Sequence, residues 1–100
     1  MLYFLKVRVD HQRFTPEELW DLWEKEAEVA LSAMARGSIV ALYKVVGQRR
    51  VLVIVNAETP EEIDRGLMVA LPLAHYEEVE EILPLRSYEG FAEDVKRRWK

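Results

Sequence analysis

The feature that most constrains the fold of this chain is a helix-start signal that occurs twice, at 15–18 and at 59–62. Both copies read Thr-Pro-Glu-Glu. Threonine can cap the first turn of a helix, proline suits the first helical position, and the second glutamate can return a hydrogen bond to the cap. An alternating apolar stretch lies before each copy and another follows it, so the pattern predicts strand, helix, strand, twice within one domain.

The first copy opens a long amphipathic helix, predicted over 15–37, with one acid on its apolar face. At 100° per residue its leucine, tryptophan and alanine side chains fall mostly on one arc, and Gly37 can close the helix. Glu26 lies inside that arc. A carboxylate there must find a partner, shift its pKa upward or face a cavity. Glu26 is therefore the first candidate for a functional residue.

The other segments complete the order β-α-β-β-α-β, which predicts a ferredoxin-like α+β sandwich with an antiparallel sheet and both helices on one face. A C-terminal helix follows, with Phe91, Val95 and Trp99 on one stripe. A single domain over residues 1–100 accommodates all of these elements. The predicted segments are strands at 2–9, 38–46, 50–56 and 79–85, a second helix at 57–70, and the C-terminal helix at 88–100.

The sheet carries apolar residues on both faces, so both faces need cover. Strict alternation places Leu2 and Phe4 opposite Tyr3 and Leu5. The second strand behaves alike, with Val40 and Leu42 opposite Ile39 and Tyr43. We expect an obligate homo-oligomer, most simply a sheet-on-sheet dimer of the dimeric α+β barrel type that encloses a cavity. The C-terminal stripe would then pack across a subunit boundary or over a cavity mouth.

Composition excludes several kinds of partner and site. The net charge is −4, and proteins that bind nucleic acid usually carry a basic face, so neither DNA nor RNA is expected as a partner. Cysteine is absent and the two histidines, His11 and His75, are far apart, so no metal site is expected. No apolar run approaches the roughly 20 residues that span a bilayer. The N-terminal residues alternate like a strand and lack a basic leader, and a cytoplasmic protein with no membrane partner is expected.

Several blocks resemble the muconolactone isomerase family of aromatic-compound catabolism. They are Glu26-Ala27-Glu28 ahead of Gly37, the segment from Gly37 to Gly47, and Leu71-Pro72-Leu73 followed by Tyr76 and Pro84-Leu85. The resemblance implies a cofactor-free isomerase that shifts a double bond in a small unsaturated lactone by moving a proton. It also implies active sites between subunits of a homo-oligomer, from a dimer up to a decameric ring.

Three positions depart from the family pattern. Trp23 stands where a basic residue is usual, Ile39 replaces an aromatic residue, and His75 replaces a proline. A carboxylated lactone needs a cation to hold its carboxylate. The resemblance therefore predicts the fold more firmly than the substrate.

Glu26 is the candidate acid/base, because an allylic proton shift needs a group that removes a proton beside a carbonyl and returns it elsewhere. Burial would raise its pKa toward neutrality. The alternative is a structural ion pair with Lys6, Arg8 or Lys44 of the sheet. In that case the chain would be a ligand-binding or assembly protein without this activity.

Five further residues are candidates for the site. His75 could relay a proton or be a solvated loop residue. Lys44 suits a substrate carboxylate and Tyr43 suits an enolate oxygen, but alternation along the strand allows only one of them to face Glu26. Tyr76 belongs to the family pattern and could equally be part of the core. Trp23 would contact the substrate or pack in the core or an interface.

Overall fold

The computed structural model describes residues 1–100 as one four-stranded antiparallel sheet with helices over one face and a third helix extending beyond it. Strand order is β2-β3-β1-β4, so the two central strands are the first and third in sequence. This is the predicted ferredoxin-like α+β arrangement, which is thereby confirmed. The elements are β1 (Leu2–Val9), α1 (Pro16–Ala35), β2 (Ile39–Lys44), β3 (Arg50–Asn56), α2 (Pro60–Arg65), β4 (Glu77–Leu85) and α3 (Tyr88–Arg97).

Both helix-start signals work as caps. The Thr15 hydroxyl accepts a hydrogen bond from the Glu18 backbone N–H at 3.2 Å, and the Glu18 carboxylate accepts one from the Thr15 N–H at 2.9 Å. Thr59 caps α2 in the same way, at 3.4 Å from the Glu62 N–H. The Glu62 carboxylate accepts from the Glu58 N–H instead, at 3.0 Å, so the second capping box is displaced by one residue.

Several boundaries differ from the predicted ones, and β2, for example, runs over Ile39–Lys44 rather than 38–46. The second helix stops as an α-helix at Arg65 and continues as the π-helical turn Gly66–Ala70. The fourth strand begins two residues earlier than predicted, directly after the 3₁₀ turn Ala74–Tyr76. The C-terminal helix ends at Arg97, because the next two residues adopt positive φ angles of 55° and 63°.

A bulge in β2 corrects the predicted pattern of faces. Ile39 pairs with Val55 and Leu42 pairs with Val53, with the register shift between Ile39 and Ala41. Val55 and Val53 share one face of β3, so Ile39 and Leu42 share it too. Strict alternation was therefore wrong for Ile39 and Leu42. It holds beyond the bulge, where Tyr43 pairs with Leu52 on the opposite face.

Two separate core clusters hold the helices to the sheet. The first lies under α2 and comprises Tyr3, Leu5, Val53, Ala57 and Ile63. The second lies under the N-terminal half of α1 and comprises Val9, Leu19 and Leu73. Leu19 is the one buried residue of α1. The middle of α1 is thus left to face an open space above the sheet.

The third helix extends away from this body. The molecule measures 57 × 25 × 21 Å, and its Cα radius of gyration is 16.0 Å, against about 13 Å for a compact chain of this length. Arg86 fixes the base of α3 by an ion pair with Asp94 at 2.7 Å, and its guanidinium lies 5.9 Å from the Phe91 ring and 6.0 Å from the Trp99 ring. The segment from Arg86 to Lys100, here called the C-terminal arm, is therefore organised mainly by its own contacts.

Candidate active site

An open, mostly apolar cleft of about 930 Å³ lies between α1 and the sheet. Its volume is at the upper end of the range of roughly 300–1,000 Å³ usual for small-molecule sites. Residues of α1 and of the π-helical turn, including Leu67, line its sides. Its floor is formed by valines and leucine of the central strands: Leu5, Val7, Val9, Val51, Val53 and Val55.

Glu26 lies in the middle of α1 and lines this cleft, half-buried. One of its carboxylate oxygens accepts a long hydrogen bond, 3.5 Å, from the backbone N–H of the buried Leu73. The helix places Glu26 one turn after Trp23, which also lines the cleft and packs against the Val9–Leu19–Leu73 cluster. An acid on the apolar face of this helix therefore points into a cavity rather than into a closed core.

Glu77 is a second acid in the cleft, and it was not predicted as a site residue from the sequence. It is the first residue of β4 and pairs with Val9, so its side chain emerges on the face of the sheet beneath α1. There it hydrogen-bonds to Glu26. Burial, followed by this hydrogen bond and by repulsion from Glu26, raises the pKa of Glu77 to about 8. The carboxyl pair consequently holds a proton on Glu77 at neutral pH.

A sequence signal for Glu77 did exist. In the run Glu77-Glu78-Val79-Glu80, a period of two places Glu77 on the same face as Val79. Val79 pairs with Val7, which is buried under the cleft. Because the strand was predicted to begin at Val79, Glu77 was assigned to the preceding turn.

None of the three basic residues proposed as a partner forms an ion pair with Glu26. Arg8 pairs with Glu78 and Glu80, and it lies with them on the far face of the sheet. Lys6 shares that face, opposite Glu81.

Tyr43 and Lys44 both border the cleft at the end of β2, but the register places Lys44 on the same face as Val51, whereas Tyr43, 67% exposed, lies on the opposite face. The strand thus presents Lys44 to the cleft. Its ammonium group is engaged with the hairpin turn, donating to the Val45 carbonyl at 2.8 Å and to the Gln48 carbonyl. It is held away from Glu26 by these two bonds.

Arg49 is a second residue that sequence reasoning missed, since the pair Arg49-Arg50 suggests only a solvated turn. Arg50 does turn away, forming a two-point ion pair with Glu80 at 2.7 and 3.0 Å. Arg49 lines the cleft, and its side chain forms no hydrogen bond or ion pair within the chain. It is a cation available to an anionic group bound there.

The remaining predicted residues lie outside the cleft. His75 is exposed in the 3₁₀ turn. Tyr76 is half-buried and packs in a T-shaped contact on Phe14, with ring centroids 4.8 Å apart. Since the 3₁₀ turn directs both side chains away from the cleft, neither reaches Glu26 within one chain.

The site therefore combines two carboxyl groups that share a proton, an indole and a mostly apolar wall. Such a pair can supply a base and a proton donor a few ångströms apart. No cluster of three acidic or histidine side chains is placed to hold a metal ion, and no helix has the length and apolar character needed to cross a bilayer.

Comparisons with known proteins agree with this architecture. The model of the muconolactone delta-isomerase family matches residues 1–90. A crystal structure of muconolactone isomerase at 3.3 Å resolution superposes with a TM-score of 0.75, covering 87% of this chain and 90% of that chain at 24% sequence identity, which shows a shared fold. No curated protein sequence matches. Because the family match spans most of the sequence, the chain belongs to the muconolactone delta-isomerase family.

Proposed function

We propose that the protein is a cofactor-independent isomerase that moves a double bond within a small unsaturated lactone, such as muconolactone, during aromatic-compound catabolism in the cytoplasm. Family membership supports an isomerase-like role. The observation that carries the proposal is Glu26, an acid that faces an apolar cleft with no cation paired to it and a protonated acid beside it.

Glu26 takes the allylic proton from the substrate carbon, and the electron pair of that C–H bond moves through the double bond onto the carbonyl oxygen. The resulting dienolate regains the same proton from Glu26 at a different carbon. One carboxyl group therefore serves both steps, and neither needs a redox or metal partner. An apolar wall favours this chemistry because it strengthens hydrogen bonds to the developing oxyanion.

The test is turnover of muconolactone and a panel of related lactones by the native protein and by Glu26→Gln. Loss of the base should reduce kcat by roughly 10²–10⁴-fold. Glu28→Gln, on the exposed side of the same helix, is the matched control and should retain activity. Melting temperature and assembly mass should be unchanged in both variants.

Two results would contradict the proposal. One is a Glu26→Gln variant that turns over lactones as the native protein does. The other is a native protein that turns over none of them. Binding of the lactones without turnover would instead assign the cleft to small-ligand binding, the alternative function.

We also propose that the chain assembles as a homo-oligomer, at least a dimer. Large aromatic side chains are exposed on the far face of the sheet and on the C-terminal arm: Tyr43 at 67%, Tyr88 at 76% and Trp99 at 66%. An arm that extends from the body of its own chain has apolar surface to cover. A second copy of the chain carries the same exposed apolar surfaces and can cover those of the first.

A further inference from the structure

We propose that Glu77 is a second catalytic residue of this cleft, whose protonated carboxyl group donates a hydrogen bond to the carbonyl oxygen of the substrate while Glu26 removes the proton from carbon. The inference rests on the proposed isomerase function and deepens it by assigning the group that stabilises the dienolate.

Glu26 and Glu77 approach the cleft from opposite sides. Glu26 comes from α1, on one side of the cleft, and Glu77 comes from the sheet, on the other. Their carboxyl groups hydrogen-bond to each other, and Trp23 lines the same cleft one helical turn before Glu26. A planar lactone that displaces this bond would lie between the two acids, with its ring against the indole. Each acid would then be within hydrogen-bond reach of a different part of the substrate.

The surroundings of Glu77 keep its carboxyl group neutral. On its own face of the sheet it has Val9 beside it, and the Leu73 region contributes apolar packing and a backbone N–H that is directed at Glu26. From α1 it faces Glu26 itself.

The three cations that line the cleft are not partners of Glu77. Arg36 donates to the Ser32 hydroxyl at 2.9 Å, Lys44 is bound to hairpin carbonyls, and Arg49 forms no ion pair with either acid. With burial and a like charge acting together, the pKa of Glu77 rises to about 8.

The chemistry balances without another reactant. As the C–H bond breaks, its proton passes to Glu26 and negative charge develops on the carbonyl oxygen. The Glu77 hydroxyl strengthens its hydrogen bond to that oxygen but keeps its proton. When Glu26 returns the proton to the second carbon, the charge leaves the oxygen and the hydrogen bond weakens again. A donor that acts mainly on the charged intermediate lowers the barrier of both steps.

The test compares Glu77→Gln with Glu77→Met. Glutamine is nearly isosteric, is neutral at every pH and still donates through its amide, so kcat at pH 7 should stay within about tenfold of the native value. Methionine has no donor, and kcat should fall by about 10²–10³-fold. The native pH profile of kcat/KM should decline above pH 8, and Glu77→Gln should lack that decline.

Full activity in Glu77→Met, or an unchanged alkaline decline in Glu77→Gln, would overturn the role of Glu77. If Glu26→Gln is inactive in the same series, the proposed function stands while this inference fails.

A second measurement applies even if the native protein turns over no lactone. A nitrophenol mimics the dienolate, since its oxygen carries delocalised negative charge when ionised. By absorbance titration, the native protein should bind the phenolate at least about tenfold more tightly than Glu77→Met, because the variant loses a hydrogen bond to a charged oxygen. Equal affinity in the two proteins would overturn the inference independently of turnover.

Discussion

Glu77 and Glu78 are adjacent glutamates with opposite environments. Glu78 faces the far side of the sheet and pairs with Arg8, whereas Glu77 faces the cleft and is half-buried beside Glu26. One residue of register therefore decides whether an acid is an ion-pair partner on the far face or a protonated carboxyl group in the cleft.

The raised pKa of Glu77 makes native stability depend on pH. An unfolded glutamate has a pKa of about 4.3, and that of folded Glu77 is about 8. Between these values the folded state binds more protons than the unfolded state, so this contribution to stability is fully present below about pH 4 and is lost as pH rises through 8.

Glu77→Gln should therefore melt at nearly the same temperature as the native protein at pH 4.5 and several degrees higher at pH 8.5, since 1 kcal/mol corresponds to about 4–8 °C in a domain of this size. Thermal melts across this range, with Glu28→Gln as control, check the difference. A gap that does not vary with pH would contradict the assignment of the proton to Glu77.

Arg49 should recognise substrate charge, since it is the cleft cation without a partner. Arg49→Ala is expected to raise KM for a carboxylated lactone by about tenfold, the effect of losing roughly 1.4 kcal/mol of binding, and to leave KM for an uncharged lactone unchanged. Arg65→Ala, an exposed change outside the cleft, serves as control. Equal effects on both lactones would show that Arg49 does not bind the carboxylate.

At the scale of elements, α1 is held to the sheet at its two ends. Its N-terminal half is fixed by the capping box and by Leu19 in the second core cluster. After its C-terminus, the Ser38 carbonyl accepts a hydrogen bond at 2.8 Å from the N–H of Asn56, the last residue of β3. The stretch between these anchors spans the cleft. Because α1 is anchored near its two ends, the middle of the helix faces an open cleft, and the candidate site lies there.

Leu73 links this anchorage to the site, because it is 1% exposed in the second cluster and its N–H binds Glu26. Leu73→Ala should reduce the free energy of unfolding by about 2–5 kcal/mol through the cavity that it leaves. The exposed Met68→Ala, in the neighbouring π-helical turn, should change it by less than about 0.5 kcal/mol. Denaturant unfolding measures both, and a similar small effect in each would show that the cluster does not anchor α1.

The features of the fold that could be predicted from the sequence depend on residues that are neighbours in the chain. The caps at Thr15 and Thr59 and the alternation of β1 depend on neighbouring residues, and they predicted element order, fold class and the inward position of Glu26. The bulge in β2 and the π-helical turn depend on packing between distant segments, which alternation does not encode. Glu77 was missed for the same reason, because its partner Glu26 is 51 positions away in the sequence. His75 and Tyr76 were predicted as site residues, but the 3₁₀ turn directs their side chains away from the cleft.

The whole molecule buries few of its residues. Ten of 100 are buried, and the two core clusters do not merge. A chain with so few buried residues gains stability when association with another copy buries its exposed apolar surface. This small interior supports the homo-oligomer that we propose.

Light scattering at micromolar concentration should give the mass of a dimer or a larger homo-oligomer. Tyr43→Asp on the far sheet face and a chain ending at Leu85, which lacks the C-terminal arm, should each lower that mass, because each removes apolar contact surface. Val46→Asp, in the exposed hairpin turn, is the matched control and should leave it unchanged. A native protein that scatters as a monomer would contradict the assembly.

The bulge between Lys6 and Val7 in the β1–β4 pairing has a consequence for how copies can associate. β4 forms an outer margin of the sheet, and its first five residues include four glutamates. An open margin can add strands from other molecules and grow into fibrils, but polar side chains and an irregular backbone oppose such growth. Along β4 the sheet is thus protected from continuous strand addition, which leaves its broad surfaces for the homo-oligomer that we propose.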